Sequence, residues 1–233
     1  DADHSAYIKL LRQIRALPGV KKVFIRSGIR YDYLMADKNL DFLDELCRYH
    51  VSGQLKIAPE HIAPQALAKM GKPGKEVYVK FMKLFEAKNK EIGKPQYLVP
   101  YFISSHPGCT LNNAVELAEF LRDIKHQPEQ VQDFIPTPGS ASTAMWYSGV
   151  DPNTMEEVFV PKNPHDKAMQ RALMQYKNPR NRQIVIQALQ KAHREDLIGD
   201  GYKCLVHLPE KRTEARRSSS RAKPHTDKKK AKR

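Results

Sequence analysis

The stretch YLVPYFISSHPGC, residues 97–109, decides the fold. Its first seven residues, 97–103, are an almost unbroken apolar and aromatic run in a chain that is otherwise polar and basic. A short continuous apolar run of this kind is typical of a strand buried on both faces, as in a parallel sheet. The run stops abruptly at Ser104, Ser105 and His106, so we predict a central strand whose polar end faces a site.

Similar strand patterns occur elsewhere in the chain. They cover residues 20–25, 54–58 and 131–135. Three of the predicted helices cover residues 5–17, 64–70 and 77–93, the last ending at Gly93. Two more begin after an N-cap, at Asn39 and at Thr110. The final two begin with the prolines that follow Asn163 and Asn178. The alternation αβαβαβαβ is typical of βαβ units around a parallel sheet covered on both faces, followed after Pro136 by a long irregular segment and α-rich sequence.

The composition indicates a globular protein over most of its length. The chain has 233 residues and is 40% hydrophobic. It contains no apolar run of about 18 residues, the length that crosses a bilayer, and no signal-peptide pattern at its start. We therefore expect a cytoplasmic protein without a membrane partner. Because the first residue is not Met, the chain could be trimmed from a longer one.

The positive charge is concentrated at the C-terminus. The net charge is +14, and residues 209–233 contain 11 basic and 3 acidic residues, which is +8 of that total. This segment has no apolar residues that would anchor it to a core, so we expect a disordered basic tail. Such a tail attracts phosphate polyanions, and RNA binding and simple solubilisation both remain open.

The ends of the predicted strands carry polar residues. They include Ser27 and Arg30, then Glu60 and His61, then Ser104 and His106. The carboxyl ends of parallel strands share one edge of a sheet, where α/β folds place their chemistry. These groups together would form a pocket able to bind a polar ligand and move a proton. The alternative is that each residue only caps the helix that follows.

Other candidate motifs are weaker. GKPGK, residues 71–75, lacks the spacing of a phosphate loop and is interpreted as a connecting loop. Trp146 with Tyr147 could stack on a base, but burial in a core is the more common role for such a pair. Cys47, Cys109 and Cys204 are too far apart in sequence for a CxxC pair, so no metal ligands are predicted.

Several longer phrases resemble the YgiQ-type family of radical S-adenosylmethionine proteins. In order, they are SGIRYDYL, LKIAPEHI, KMGKPG, YLVPYFISSHPGCT and VQDFIPTPGSASTAMWYSG. The resemblance runs from about residue 3 to residue 209. It implies a partial (βα)6 barrel in which a CxxxCxxC loop holds a [4Fe-4S] cluster that binds S-adenosylmethionine.

The chain has no CxxxCxxC motif. By resemblance, it corresponds to the later βα units of such a barrel (1–140), a helical C-terminal extension (141–208) and the basic tail (209–233). The cluster-binding motif would belong to an N-terminal half absent from this sequence, which would be its partner. The resemblance thus implies a fragment of a radical enzyme with an unknown substrate, inactive by itself; an RNA-binding protein acting through the tail is the alternative.

The resemblance also implies roles for individual residues. Matched by strand order, Ser27 and Arg30 would contact the ribose or methionine part of S-adenosylmethionine. Ile57, Ala58 and Ser104 would hold its adenine. The catalytic candidates left to face the substrate are then Glu60, His61 and His106.

Overall fold

A computed structural model describes residues 2–207 of the chain. It is a mixed α/β structure with a parallel sheet of three strands in the order β1-β2-β3. The strands are β1, Gln54–Glu60; β2, Tyr97–Ser104; and β3, Gln132–Asp133. The opening stretch thus forms the central strand, as predicted.

Nine α-helices are present within the described residues. They are α1, Ser5–Arg15; α2, Tyr31–Ala36; α3, Asp41–Glu45; α4, Pro64–Met70; α5, Lys75–Ile92; α6, Leu111–Asp123; α7, Ala141–Ser148; α8, Pro164–Met174; and α9, Arg182–Lys191. A π-helical turn, Leu46–His50, extends α3, and 3-10 turns occupy Pro179–Asn181 and Glu195–Leu197.

Two predicted caps are confirmed. The Thr110 hydroxyl accepts a hydrogen bond from the Asn113 amide, and the Asn113 side chain accepts one from the Thr110 amide, which forms a capping box at the start of α6. The Asn163 side chain likewise accepts a hydrogen bond from the His165 amide at the start of α8. These caps depend on neighbours within three residues, so the sequence alone defines them.

The predicted strand at 20–25 is wrong. The segment has no regular secondary structure, and its backbone is held by the His50 ring, 2.7 Å from the Val23 carbonyl, and by the Ile25 amide, which donates to the His50 carbonyl at 2.9 Å. Further on, the Ile29 amide donates to the Lys56 carbonyl at 3.2 Å, which makes a single parallel bridge beside β1. Lys21, Lys22 and Phe24 are exposed, so the segment lacks the burial that would hold a regular strand there.

Three helix predictions need correction. The N-cap of α3 is Leu40 without a side-chain cap, whereas the Asn39 amide donates to Asp37. The segment after Pro136 contains the helix α7, and α2 was missed. Behind Asn178, a 3-10 turn precedes α9 and absorbs the Pro residue that was expected to start the helix.

One face of the sheet packs on the main core. Leu55, Ile57 and Phe102 are buried there against α5 and α6. The opposite face carries Tyr97, which is 66% exposed, and Tyr101, which is 45% exposed. The expectation that both faces are covered is therefore wrong at Tyr97 and Tyr101, while Val99 and Ile103 on the same face are half-buried.

A second core joins the C-terminal helices to the sheet unit. Ala114, Val115 and Ala118 of α6 pack with residues of α8 and α9, including Leu173 and Leu189. The opposite side of α6 contributes Leu117 and Leu121 to the main core. Because α6 belongs to both cores, the helical extension is firmly attached to the end of the sheet.

No helix in residues 2–207 is long and apolar enough to cross a membrane. The predicted disordered tail, 209–233, and the RNA contact predicted for it lie outside the described residues.

Candidate functional site

The first two strands end in the same unusual backbone conformation. Glu60, the last residue of β1, has φ 64°, and Ser105, immediately after β2, has φ 62°. The left-handed region costs a non-glycine residue about 1–2 kcal/mol. Such strain is concentrated at functional sites, where the surrounding structure holds it in place. Lys125, Met155 and His193 share this conformation outside the strands, but only Glu60 and Ser105 place it at the ends of two adjacent strands, so the carboxyl edge of the sheet is the candidate site.

Glu60 forms an ion pair with Lys72, which belongs to the GKPGK segment interpreted above as a connecting loop. Lys72 lies between α4 and α5, and its ammonium is 2.8 Å from the Glu60 carboxylate. The same ammonium donates to the Ala58 carbonyl at 3.2 Å. The side chains of Glu60 and Lys72 are 22% and 17% exposed, so this pair is open to a ligand at the rim.

His61 lies behind this rim and is only 2% exposed. Its Nδ1 accepts a hydrogen bond from the Ala63 amide at 3.0 Å, which leaves the ring proton on Nε2, 3.4 Å from Cys109 Sγ. Burial, and to a lesser extent the neighbouring His106, lowers the pKa of His61 to about 4. Burial raises the pKa of the Cys109 thiol to about 12, so the pair is neutral and serves structure rather than nucleophilic attack.

His106 is also buried and fully hydrogen-bonded. Its Nδ1 donates to the Pro107 carbonyl at 2.7 Å, and its Nε2 accepts from the Ser142 hydroxyl of α7 at 2.9 Å. The ring packs edge-on against Phe134, with centroids 4.9 Å apart. Burial lowers its pKa, while the Pro107 carbonyl and the charge of Glu60 oppose that shift. The charge of Glu60 thus affects the pKa of His106, although His106 itself is buried.

The end of β2 is fastened by α8. Gln170 accepts a hydrogen bond from the Ser105 amide at 2.9 Å and donates to the Cys109 carbonyl at 3.0 Å. The Ser105 hydroxyl is buried without a hydrogen-bond partner in the described structure. Ser105 therefore combines backbone strain with an unsatisfied polar group, directly beside the candidate site.

Ser104 is engaged in a separate network. Its hydroxyl donates to Asp133 of β3, and Asp133 also accepts from Arg171 of α8. Asp133 and Arg171 were not among the predicted site residues. Asp133 lies in the middle of the strand predicted at 131–135 and ends β3 only in the structure, and nothing in the sequence pairs it with Arg171.

The predicted cofactor residues occupy three different places. Ser27 and Arg30 line a depression of about 490 Å³ that also includes Tyr33. Ile57 is fully buried in the main core. Ala58 faces the other way and lines, with Glu60, a separate depression of about 550 Å³.

Arg30 lines the first of these depressions and interacts with the charge of Glu60, which lines the second. Its guanidinium donates to both carboxylate oxygens of Asp32, at 2.9 and 2.5 Å, and lies 4.5 Å from the centroid of the Tyr33 ring. The hydrogen bond to Asp32 raises the pKa of Arg30, and the charge of Glu60 contributes in the same direction. The charged groups near the carboxyl edge are therefore two ion pairs, Glu60 with Lys72 and Asp32 with Arg30.

No group of three or more His, Cys, Asp or Glu residues that could hold a metal ion occurs in residues 2–207. Cys47 and Cys109 are buried, and Cys204 is half-buried.

Comparison of the sequence with known proteins finds one matching domain family and several similar proteins. Residues 129–233 match the Domain of unknown function (DUF3362). A UPF0313 protein of Clostridium perfringens (strain 13 / Type A) is 59% identical over 206 residues, which are 88% of this chain and 31% of that protein. A UPF0313 protein of Clostridium botulinum (strain 657 / Type Ba4) is 57% identical over 204 residues, again 88% of this chain and 32% of the relative. The chain is therefore closely similar to UPF0313 proteins over most of its length and spans about a third of theirs.

Proposed function

We propose that this chain is part of a radical S-adenosylmethionine enzyme and forms part of the wall around cofactor and substrate. The observation that carries the proposal is the Glu60–Lys72 ion pair at the strained carboxyl edge of a parallel sheet, with Ser27 and Arg30 in a neighbouring depression. The resemblance of the quoted phrases to YgiQ-type radical S-adenosylmethionine proteins supports the reaction class. The partial barrel belongs to this proposal as well.

The cysteines of this chain do not fit an iron-sulfur cluster. The sequence has three of them, without CxxxCxxC spacing, and two are buried at distant places in the fold. In the proposal, the cluster ligands belong to the part of the longer protein that this chain does not include. The residues described here then act only on S-adenosylmethionine and substrate.

The rim residues suit the charged groups of S-adenosylmethionine. Arg30 and Lys72 are cations suited to its carboxylate, and Glu60 is an acceptor suited to its amine or ribose hydroxyls. When bound to a reduced cluster, this cofactor would supply a radical that abstracts a hydrogen atom from a substrate. His61 and His106 act as positioning residues in this scheme, because their ring nitrogens are already engaged.

A chimera tests the proposal. The part of the C. perfringens relative that precedes the matched region is joined to this chain and reconstituted anaerobically with iron and sulfide. We expect cluster absorbance and reductant-dependent formation of 5′-deoxyadenosine from the chimera, and no stoichiometric cluster on the 233-residue chain alone. A stable cluster on the chain alone, or a cluster-loaded chimera that does not cleave S-adenosylmethionine, would contradict it.

Glu60→Gln in the chimera tests the rim itself. The change keeps the size of the side chain but removes the charge, so we expect 5′-deoxyadenosine formation to fall about tenfold or more. The melting temperature should change no more than for a surface substitution, because the Glu60–Lys72 pair is partly exposed. Loss of the fold would instead favour a structural capping role.

A second candidate function is RNA binding through the tail. The net charge of +8 in residues 209–233 supports it. Phosphate contacts of this kind weaken steeply with salt, in proportion to the phosphates neutralised. Deletion of 209–233 should therefore reduce both the affinity for a labelled structured RNA and its salt dependence. Unchanged binding, or equal binding to heparin, would rule out an RNA-specific tail.

A further inference from the structure

At the opposite end of the sheet, where β2 begins, lies an open groove of about 820 Å³. It runs between the end of α5 and the end of α6. We call it the apolar groove, and its apolar walls are Val79, Met82, Phe85, Leu98, Phe120 and Ile124. These wall residues are half-buried, except for Phe85, which is buried, and a concave apolar surface of this kind is a candidate binding surface.

Two unsatisfied hydrogen-bond acceptors line the apolar groove. Asn89 Oδ1 and Gln96 Oε1 are buried and have no hydrogen-bond partner in the described structure. Asn89 as a whole is only 8% exposed. The amide nitrogen of Gln96 is used, since it donates to the Cys47 carbonyl at 2.8 Å. A buried acceptor without a partner is costly, and a side-chain rotation that turns either oxygen into the groove would pair it with an N–H or O–H donor of an occupant.

A second depression of about 380 Å³ adjoins the apolar groove and shares Lys94, Pro95 and Gln96 with it. We call it the lysine cleft, because Lys21, Lys22 and Lys94 line it. Both surfaces lie at the amino ends of the strands, away from the rim around Glu60. They form one continuous patch.

The charge of this patch is unbalanced. Its lysines without a carboxylate partner, among the described residues, are Lys21, Lys22, Lys83 and Lys94. The acids of the apolar groove are already neutralised, because Glu86 pairs with Lys90 at 2.7 Å and Asp123 pairs with Arg122 at 2.8 Å. The complementary partner is therefore acidic as well as apolar.

A nucleic acid fits the patch less well than a peptide. The exposed rings of the lysine cleft belong to Phe24 and Tyr49. Arg15 lies 3.6 Å from the centroid of the Tyr49 ring, and Lys22 lies 5.8 Å from that of Phe24, so cations already occupy stacking faces. Stacking of successive bases needs several open aromatic faces, whereas the apolar groove offers one exposed ring, Tyr97, among mainly aliphatic side chains.

We propose that the apolar groove and the lysine cleft together bind an acidic amphipathic helix of a partner protein. Its apolar face fills the groove, its carboxylates approach the four lysines, and a donor side chain at its centre satisfies Asn89 or Gln96. Helices bind grooves in this way through side chains at positions i, i+3, i+4 and i+7.

The test uses the complete 233-residue chain and a fluorescein-labelled helical peptide of about 16 residues. The peptide carries Leu and one Trp on one face and Glu on the other, and fluorescence anisotropy measures its Kd. We expect saturable binding that weakens with salt. Binding should weaken about tenfold in Met82→Glu and about tenfold in Lys21→Glu/Lys22→Glu, and the latter variant should lose most of its salt dependence.

Matched controls distinguish specific binding at the patch from nonspecific binding elsewhere on the chain. Leu10→Glu changes an exposed leucine on α1, and Lys203→Glu changes an exposed lysine in the C-terminal part, so neither should alter the Kd. A scrambled peptide of the same composition tests capture by the basic tail. Equal binding of the scrambled peptide, equal losses in the control variants, or no saturable binding would overturn the proposal.

The unsatisfied acceptor gives an independent readout. Naphthylalanine in place of the Trp keeps the apolar ring but removes the N–H donor, so the Kd should rise severalfold for the unaltered chain and not for Asn89→Leu. The same rise in both proteins would contradict a donor to Asn89. Poly(U) RNA that binds as tightly as the peptide and is equally weakened by Met82→Glu would assign the patch to nucleic acid instead.

Discussion

The two ends of the sheet differ in how they bury polar groups. At the carboxyl end, Ser104, His61 and His106 are buried with their polar side-chain atoms engaged by protein partners, and the Ser105 hydroxyl is the exception. At the amino end, Asn89 keeps a buried oxygen unpaired beside an apolar groove. The first arrangement holds side chains in fixed positions, as chemistry requires, and the second leaves a surface that gains from being covered.

Among the changes at the carboxyl end of the sheet, the loss of Gln170 should lower the free energy of unfolding most. Gln170→Leu leaves the Ser105 amide and the Cys109 carbonyl without partners in a buried place. Each such loss costs about 1–3 kcal/mol, so the free energy of unfolding should fall by about 4 kcal/mol in urea denaturation. Gln190→Leu, an exposed position on α9, is the control and should change it by less than about 0.5 kcal/mol. A similar small effect for Gln170→Leu would show that the network does not hold the strand end.

Acid should weaken the same end through His61. The imidazole is neutral in the folded state, with a pKa lowered to about 4, whereas the ordinary value is 6.5. The unfolded chain therefore binds the extra proton first, and stability is complete above pH 6.5 and declines as the pH falls toward 4. The full loss is roughly 3 kcal/mol.

The pH dependence is best measured as a difference. Urea unfolding between pH 4 and 7 is compared for the unaltered chain and His61→Gln, which cannot titrate. The variant should have the flatter profile in this window, while the carboxylates contribute equally to both proteins. Parallel profiles would mean that His61 is not buried as a neutral group.

Two left-handed glycines compare the two ends directly. Gly108 has φ 84° at the carboxyl end, and Gly93 has φ 65° beside the apolar groove. A Cβ on Gly108 would lie 2.8 Å from Cγ of Lys69, whereas one on Gly93 would meet nothing within 4 Å. Gly93→Ala should cost about 1 kcal/mol for backbone strain, and Gly108→Ala about 2 kcal/mol because of the added clash. Equal losses in thermal unfolding would indicate that Lys69 moves aside freely.

The smallest expected effect has the opposite sign. Glu60→Gly removes the left-handed strain at φ 64°, worth about 1–2 kcal/mol, and also removes a partly exposed ion pair worth about 0–1 kcal/mol. Because glycine in a strand also costs roughly 0.5–1 kcal/mol of backbone entropy, the free energy of unfolding should rise by about 1.5 kcal/mol at most. Gln54→Gly, at the other end of β1, lacks that strain relief and should be destabilising. A clear loss of stability in Glu60→Gly would show that the carboxylate is retained for structure and not for function.

The sequence by itself determined the local elements. The apolar run of β2, the Pro-started α4, and the Thr110 and Asn163 caps are all visible in neighbouring residues. These features depend on side-chain periodicity and on hydrogen bonds across three residues or fewer. The residues at the strand ends were also identified from position alone, because parallel strands end at a common edge.

Only the tertiary structure decided which groups meet at that edge. Gln170 reaches back 65 residues to Ser105, and Arg171 reaches 38 residues to Asp133. Lys72 pairs with Glu60 because α4 and its following loop fold back over the end of β1. Because α6 packs against both cores, it holds α8 where Gln170 and Arg171 make these contacts. Local sequence patterns contain no information about pairing over such distances. Likewise, the segment 20–25 has the apolar pattern of a strand, but it would form one only if it packed beside β1. It does not do so, and its two lysines, Lys21 and Lys22, are exposed to solvent.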